Sequence, residues 1–386
     1  MASLPDKDSP ELHLVVATAE EHYAQTHANS DEWRGALSLP AYFRREEHLL
    51  NQDLTKNGGL TPWLLVHQPA GTSKNDRKVL CGCETIRKTA LAAVNGKVQD
   101  ETAHGVASVF CPPQFRGKGY AGRMMAELGE KLKGWQVKDQ PALFSVLWSD
   151  IGKDFYAARG WKAFPSSHIS LAAGHQPPSS LPQSKPLKAA DLPALCDSDS
   201  QSLRSQLSNA AKPTVALLPN VATLAWHHAR EEFIAKELYN RNPETKGALV
   251  EIAPGRRAWC VWTRVWTNPA DDDANTLHIL RLAIEGDAAQ DFAPASEDGV
   301  VNVQGSPVVD AIAALFAAAQ REAAEWEMEA VEFWNPTSVA LAAARKIDGQ
   351  SKVHEREKAS ICSLRWYGEG DGEDLQWVCN EKYGWC

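Results

Sequence analysis

The chain has 386 residues, enough for two domains, and its 44% hydrophobic content, with 14 tryptophans, excludes wholesale disorder. A net charge of −9, with no basic run and no aromatic-plus-basic stripe, argues against nucleic acid as the main partner. The N-terminus is polar and reads as no secretory signal, and the longest apolar run, near 311–319, is too short for a bilayer, so the expectation is a soluble cytoplasmic protein without a membrane partner. The eight cysteines are scattered, and Cys81-Gly82-Cys83 is the only close pair. Reduced, packed thiols and no metal are expected.

In chain order, Leu12 to Ala17 reads as a strand, and Thr18 with Glu21 three residues on has capping-box character. Helices run to about Leu54, with a break at Leu39-Pro40. Trp63 to His67 and Val79 to Lys88 read as a strand hairpin, and Ala90 to Glu101 as an exposed tip or loop. Val106 to Phe110 is a strand ended by Pro112-Pro113, because proline lacks the ladder N–H. Gly117-Lys118-Gly119 follows, then a helix whose apolar positions Ala121, Met124, Met125, Leu128 and Leu132 share one face. Strand, glycine turn and helix N-terminus gather unpaired N–H groups at the positive end of a helix dipole, an arrangement that binds phosphate. Pro141 to Trp148 reads as a buried strand completing a parallel βαβ unit, and a short helix closes at Gly160. A linker over 173–188 is rich in proline, glycine and serine. Beyond it, Leu224 to Ile234 is helical, Ala258 to Trp266 and Thr276 to Ile284 are strands, and Val308 to Glu325 is a long alanine-rich helix. Val331 to Pro336 is a further strand before a last helix. That order echoes the first half, with Asp287 to Gly305 in place of the glycine loop.

Gln114-x-x-Gly117-x-Gly119 resembles the Q/R-x-x-G-x-G/A signature of the GNAT superfamily of N-acetyltransferases, and Phe155-Tyr156…Gly160-Trp161 is similar to its second signature. Trp33, Leu39-Pro40…Tyr42…Arg45-Glu46, Gly59-Leu60-Thr61-Pro62-Trp63, Cys83-Glu84-Thr85 and Trp377…Asn380-Glu381-Lys382-Tyr383-Gly384-Trp385-Cys386 extend the resemblance, over nearly the whole chain, to the fungal lysine N6-acetyltransferases of lysine degradation. The resemblance implies a mixed α/β fold: a GNAT catalytic domain over 1–172, and over 189–386 a second, degenerate GNAT-like domain whose C-terminal tail docks near the active site. It also implies direct acetyl transfer from acetyl-coenzyme A to the side-chain amine of free L-lysine, a small-molecule partner.

On that reading Val109, Phe110 and Cys111 run beside the pantetheine arm, and Gln114, Phe115, Arg116, Gly117, Lys118, Gly119, Tyr120 and Ala121 surround the pyrophosphate. Tyr156 matches the family's general acid, while Ser149-Asp150 stands where the family often has asparagine. For the base there are two candidates: Glu84, an acid inside an apolar strand, and the terminal carboxylate of Cys386 at the end of an aromatic tail. His227 and His228 face different directions on a helix and read as packing or surface. The alternatives are another amine acceptor (a protein lysine, a polyamine or a toxin amine) or a coenzyme A sensor without chemistry.

Overall fold

A computed structural model describes residues 4–174, 180–268, 270, 273–286, 294–295 and 305–385. β1 (Leu12–Val16) leads into α1 (Ala19–Ala28), where the Thr18 hydroxyl accepts the Glu21 N–H and the Glu21 carboxylate accepts the Thr18 N–H. After the single turn α2 (Ser30–Trp33), Leu39-Pro40 opens α3 (Leu39–Leu50), because a proline in the first turn gives up only an amide that has no helical partner.

β2 (Leu60–His67) pairs antiparallel with β1 and with β3 (Lys78–Val94). The segment from Ala90 to Glu101 is not a loop. β3 runs on to Val94, and β4 (Lys97–Phe110) starts after Asn95 and Gly96, which have φ of 52° and 72°. Two successive left-handed residues match the twist of the flanking strands, and Asn-Gly is the pair that adopts them most readily. α4 (Tyr120–Leu132) buries Met124, Met125, Leu128 and Leu132 against Trp63, Leu65, Cys81 and Cys83. β5 (Phe144–Ser149) then returns parallel to β4, and α5 (Asp154–Ala157) is followed by Gly160 at φ 92° and by β6 (Lys162–Ala163).

The remaining elements are β7 (Ser167–Ala172), β8 (Lys185–Leu187), α6 (Leu192–Leu207), β9 (Thr214–Leu217), α7 (Val221–Tyr239), β10 (Gly247–Ala253), β11 (Arg256–Val265), β12 (Thr276–Ile284), α8 (Pro307–Glu325), β13 (Ala330–Trp334), α9 (Ser338–Ile347), β14 (His354–Glu355), β15 (Ile361–Trp366) and β16 (Gln376–Trp377). They complete two mixed sheets. The first has the order β1-β2-β3-β4-β5-β15-β6, with β9 on the far half of β3 and β16 on β9. The second has the order β14-β7-β13-β12-β11-β10-β8.

The chain crosses between the sheets in both directions. β7, from before the 173–188 segment, pairs with β13 and β14, while β15, from near the C-terminus, lies between β5 and β6. A shared apolar core joins them: Phe144, Val146 and Trp148 of the first sheet, Trp259, Val261, Leu280 and Trp334 of the second, and Trp377 and Tyr383 of the tail.

In the second sheet β12, α8, β13 and α9 repeat the order of β4, α4, β5 and α5. β12 and β13 are parallel and share pairs only from Thr276–Ala330 to Ile279–Phe333. Past that point the Leu282 N–H is taken by the Glu381 carboxylate at 2.8 Å, so the chain's own tail fills the parting edge. Most of Asp287 to Gly305 lies outside the described residues. Among the described residues no helix is long and apolar enough to cross a membrane.

Candidate active site

β4 and β5 share only three ladder pairs, His104–Ser145, Gly105–Val146 and Val106–Leu147. Beyond Val106 the strands part, and the β4 edge from Ala107 to Phe110 has no strand partner on that side among the described residues. A bulge accompanies the parting. The β3–β4 register slips between Gly82–Phe110 and Glu84–Ala107, and Ser108 takes φ 52°. The parting exposes a backbone edge along Val109, Phe110 and Cys111. Their side chains point elsewhere: Phe110 is buried against Trp33, and the Cys111 thiol is directed at the Leu80 carbonyl.

The glycine loop lies at the end of this edge. Gly117 and Gly119 have φ of 75° and 83°, and Gly119 is the N-cap of α4 with no side-chain cap, so the first-turn amides stay open for a ligand. Gln114 and Lys118 are exposed, while Phe115 and Tyr120 are buried. Two expected contributions are spent internally. The Arg116 amide donates to Pro113 O, and its guanidinium donates to Cys111 O and lies over the Phe110 ring. Tyr120 donates its hydroxyl to Pro5 O at 2.5 Å, and the Arg123 guanidinium donates to Lys7 O. The N-terminal segment thus braces the loop, and a Cβ on Gly119 would come within 2.6 Å of the Lys7 side chain. Open amides at a helix N-terminus beside a free strand edge fit acetyl-coenzyme A, whose pyrophosphate and pantetheine need those two features.

Glu84 faces α1, where His22 Nε2 lies 2.7 Å from its carboxylate. Both side chains are nearly buried, 14% and 15% exposed. Burial works to raise the Glu84 pKa, but His22, by hydrogen bond and charge, and then Ser108 at the bulge outweigh it and hold the carboxyl below its ordinary value. Burial pulls His22 down, while Glu84 and the charge of Glu46 pull harder and raise it. The result is an imidazole oriented by a carboxylate at the place where β4 leaves β5. Nothing in the sequence pattern pairs His22 with a residue 62 positions away.

Tyr156 is buried on the opposite face of the sheet, in the cluster with Cys81, Cys83, Met124 and Leu147. Burial, with Cys83 and Asp150 nearby, raises its pKa, so it stays a neutral acid, and its hydroxyl has no hydrogen-bond partner among the described residues. Ser149 bonds locally to Gly152 O. His227 and His228 are both buried and donate Nε2–H to Tyr383 O and Trp262 O, and burial lowers both pKa values. They are packing groups. Cys386 lies outside the described residues. Its neighbour Trp385 packs with Leu49, Leu54, Ile86 and Trp226. Ile86 and Glu84 are two residues apart on β3 and share a face.

The fold and this site define a GNAT-type N-acetyltransferase. Among solved structures the chain is similar to GCN5-related N-acetyltransferases from Kribbella flavida (TM-score 0.51, 15% identity, 92% of this chain and 72% of that one) and Anabaena variabilis (TM-score 0.50, 13% identity, 95% and 75%). It is 25% identical over 317 residues to the lysine acetyltransferase of Yarrowia lipolytica, covering 71% of this chain and 76% of that protein. An uncharacterized protein of Saccharomyces cerevisiae is 28% identical over 168 residues, 37% of this chain and 41% of its own length. The family described as LYC1 GNAT-like C-terminal domain matches residues 168–386, a span that begins within β7, and the chain belongs to that family.

Proposed function

We propose that this acetyltransferase moves the acetyl group of acetyl-coenzyme A directly onto the side-chain amine of free L-lysine. The observation that carries direct transfer is the His22–Glu84 pair, 2.7 Å apart beside the bulge where β4 and β5 separate. The Yarrowia relative's name supports lysine as the acceptor.

When bound, acetyl-coenzyme A supplies an activated acetyl thioester. The open amides from Gly117 to Ala121, with the Lys118 charge, hold the pyrophosphate. The free β4 edge from Ala107 to Phe110, running on into Cys111, takes the pantetheine arm, and an N–H on it polarises the acetyl carbonyl. Glu84 orients the His22 imidazole and balances its positive charge while the imidazole accepts the proton of the substrate ammonium. Tyr156 gives its proton to the departing thiolate. The seven described cysteines are free, which supports a reducing, cytoplasmic setting.

The test is Glu84→Gln and Tyr156→Phe, with coenzyme A binding measured separately from turnover. Each variant loses roughly 10²- to 10⁴-fold in kcat while binding the coenzyme. Full turnover in either would remove that residue from the chemistry. A sensor without chemistry would bind acetyl-coenzyme A and acetylate no amine.

A further inference from the structure

Two basic side chains on the Glu84 face of the first sheet have no anion within ion-pair distance among the described residues, although Glu46 acts on one and Glu332 and Asp150 on the other through space. Arg230 of α7 forms no ion pair or hydrogen bond among the described residues; its guanidinium lies 5.9 Å from the Trp385 ring centroid. Lys382 is buried, with its ammonium 4.1 Å from the Trp334 ring and 4.2 Å from the Trp385 ring, and no carboxylate within ion-pair distance among the described residues. Trp385 places both against the cluster of Ile86 and Trp226, one same-face position along β3 from Glu84. The nearby Arg45 is already engaged by Glu46 and the Trp33 carbonyl. Burial, then Arg45, pulls Arg230 down to about 9, and burial, then Arg230, pulls Lys382 down to about 7. Paired charges are the rule for buried cations, and a buried, unpaired Lys382 with the partly buried, unpaired Arg230 beside it marks a place for an anion next to the His22–Glu84 pair.

We propose that Arg230, with Lys382 beside it, receives the α-carboxylate of a free amino-acid substrate whose side-chain amine reaches the His22–Glu84 pair. The acceptor class is therefore a diamino acid with a free carboxylate, not a polyamine and not a lysine within a protein chain. Lysine's flexible four-carbon stem separates the two recognised groups. This inference rests on the amine-acetylation reading above and adds the residues that would hold the substrate carboxylate.

The experiment compares L-lysine with cadaverine, which has the same amine and lacks the carboxylate, in the full-length protein and in Arg230→Gln. The wild type prefers L-lysine in kcat/KM, and the substitution cuts the lysine-to-cadaverine ratio by about 10- to 100-fold, the worth of a charged hydrogen-bonded contact. Equal use of both amines by the wild type, or an unchanged ratio in the variant, overturns the inference. Should Arg230→Gln not fold, Arg230→Lys is read the same way with a smaller drop. If the wild type acetylates no amine, the function proposed above fails. Calorimetric L-lysine binding then decides the carboxylate site: binding lost in Arg230→Gln supports it, and equal binding overturns it.

Discussion

At the scale of single residues, the proposed chemistry and its pH dependence rest on the His22–Glu84 pair. The imidazole has to be neutral to accept a proton, and Glu84 raises its pKa, so the acid limb of kcat/KM lies above the ordinary histidine value of about 6.5. Glu84→Gln removes that pull, and residual activity then follows a limb shifted to lower pH. A limb that does not move would mean that another group is the base. Stability carries the same signature. The depressed Glu84 contributes stability that is present above its unfolded value and lost as pH falls through the folded one. The raised His22 contributes stability that is present below about 6.5 and lost as pH rises through its folded value. His22→Phe leaves a nearly buried carboxylate without its partner, and about 3 kcal/mol of stability is lost in urea titrations near neutral pH. Glu84 was legible from sequence as an acid inside an apolar strand. His22 was not, because its partner comes from a different element and no local period connects them.

At the scale of elements, the β4 bulge and the cap of α4 shape the cofactor side. The glycine loop was readable because a positive φ at a helix N-terminus leaves a local chemical trace. The length of β3 and β4 was missed, although Asn95-Gly96 carried the turn signal, because Ala90 to Glu101 mixes alanine and charge and lacks alternation. Gly119→Ala separates strain from contact: at φ 83° the new methyl also meets Lys7, so acetyl-coenzyme A affinity falls along with about 1–2 kcal/mol of stability. Gly117→Ala has open space around the methyl and shows the backbone strain alone. Equal effects of the two on thermal unfolding would remove the N-terminal brace from the explanation.

At the scale of the molecule, the strand exchange makes the halves interdependent, and a buried charge network fixes the tail between them. The Arg281 guanidinium donates to both oxygens of Asp199 at 2.8 Å and to Glu381, whose other oxygen holds the Leu282 amide. Burial, partly offset by Arg281, pushes Glu381 up to about 7. Arg281→Met leaves two buried carboxylates without a cation and costs about 3–5 kcal/mol, measured by denaturant titration. A loss below about 1 kcal/mol would mean that the tail docks without the network. The composition of 173–188 marks a break in sequence, yet strand membership crosses it, because β7 and β15 find their neighbours only in the assembled sheets. The aromatic tail was legible as a docked segment, but Arg230 and Lys382 meet only once α7 and that tail pack around Trp385.

The most direct measurement is the initial rate of thiol release from acetyl-coenzyme A as L-lysine is varied, with the acetylated nitrogen of the product identified by mass spectrometry. A lysine acetyltransferase shows saturable, lysine-dependent release and product acetylated on the side-chain amine. A rate equal to the amine-free blank, or product acetylated on the α-amine, would contradict the assignment.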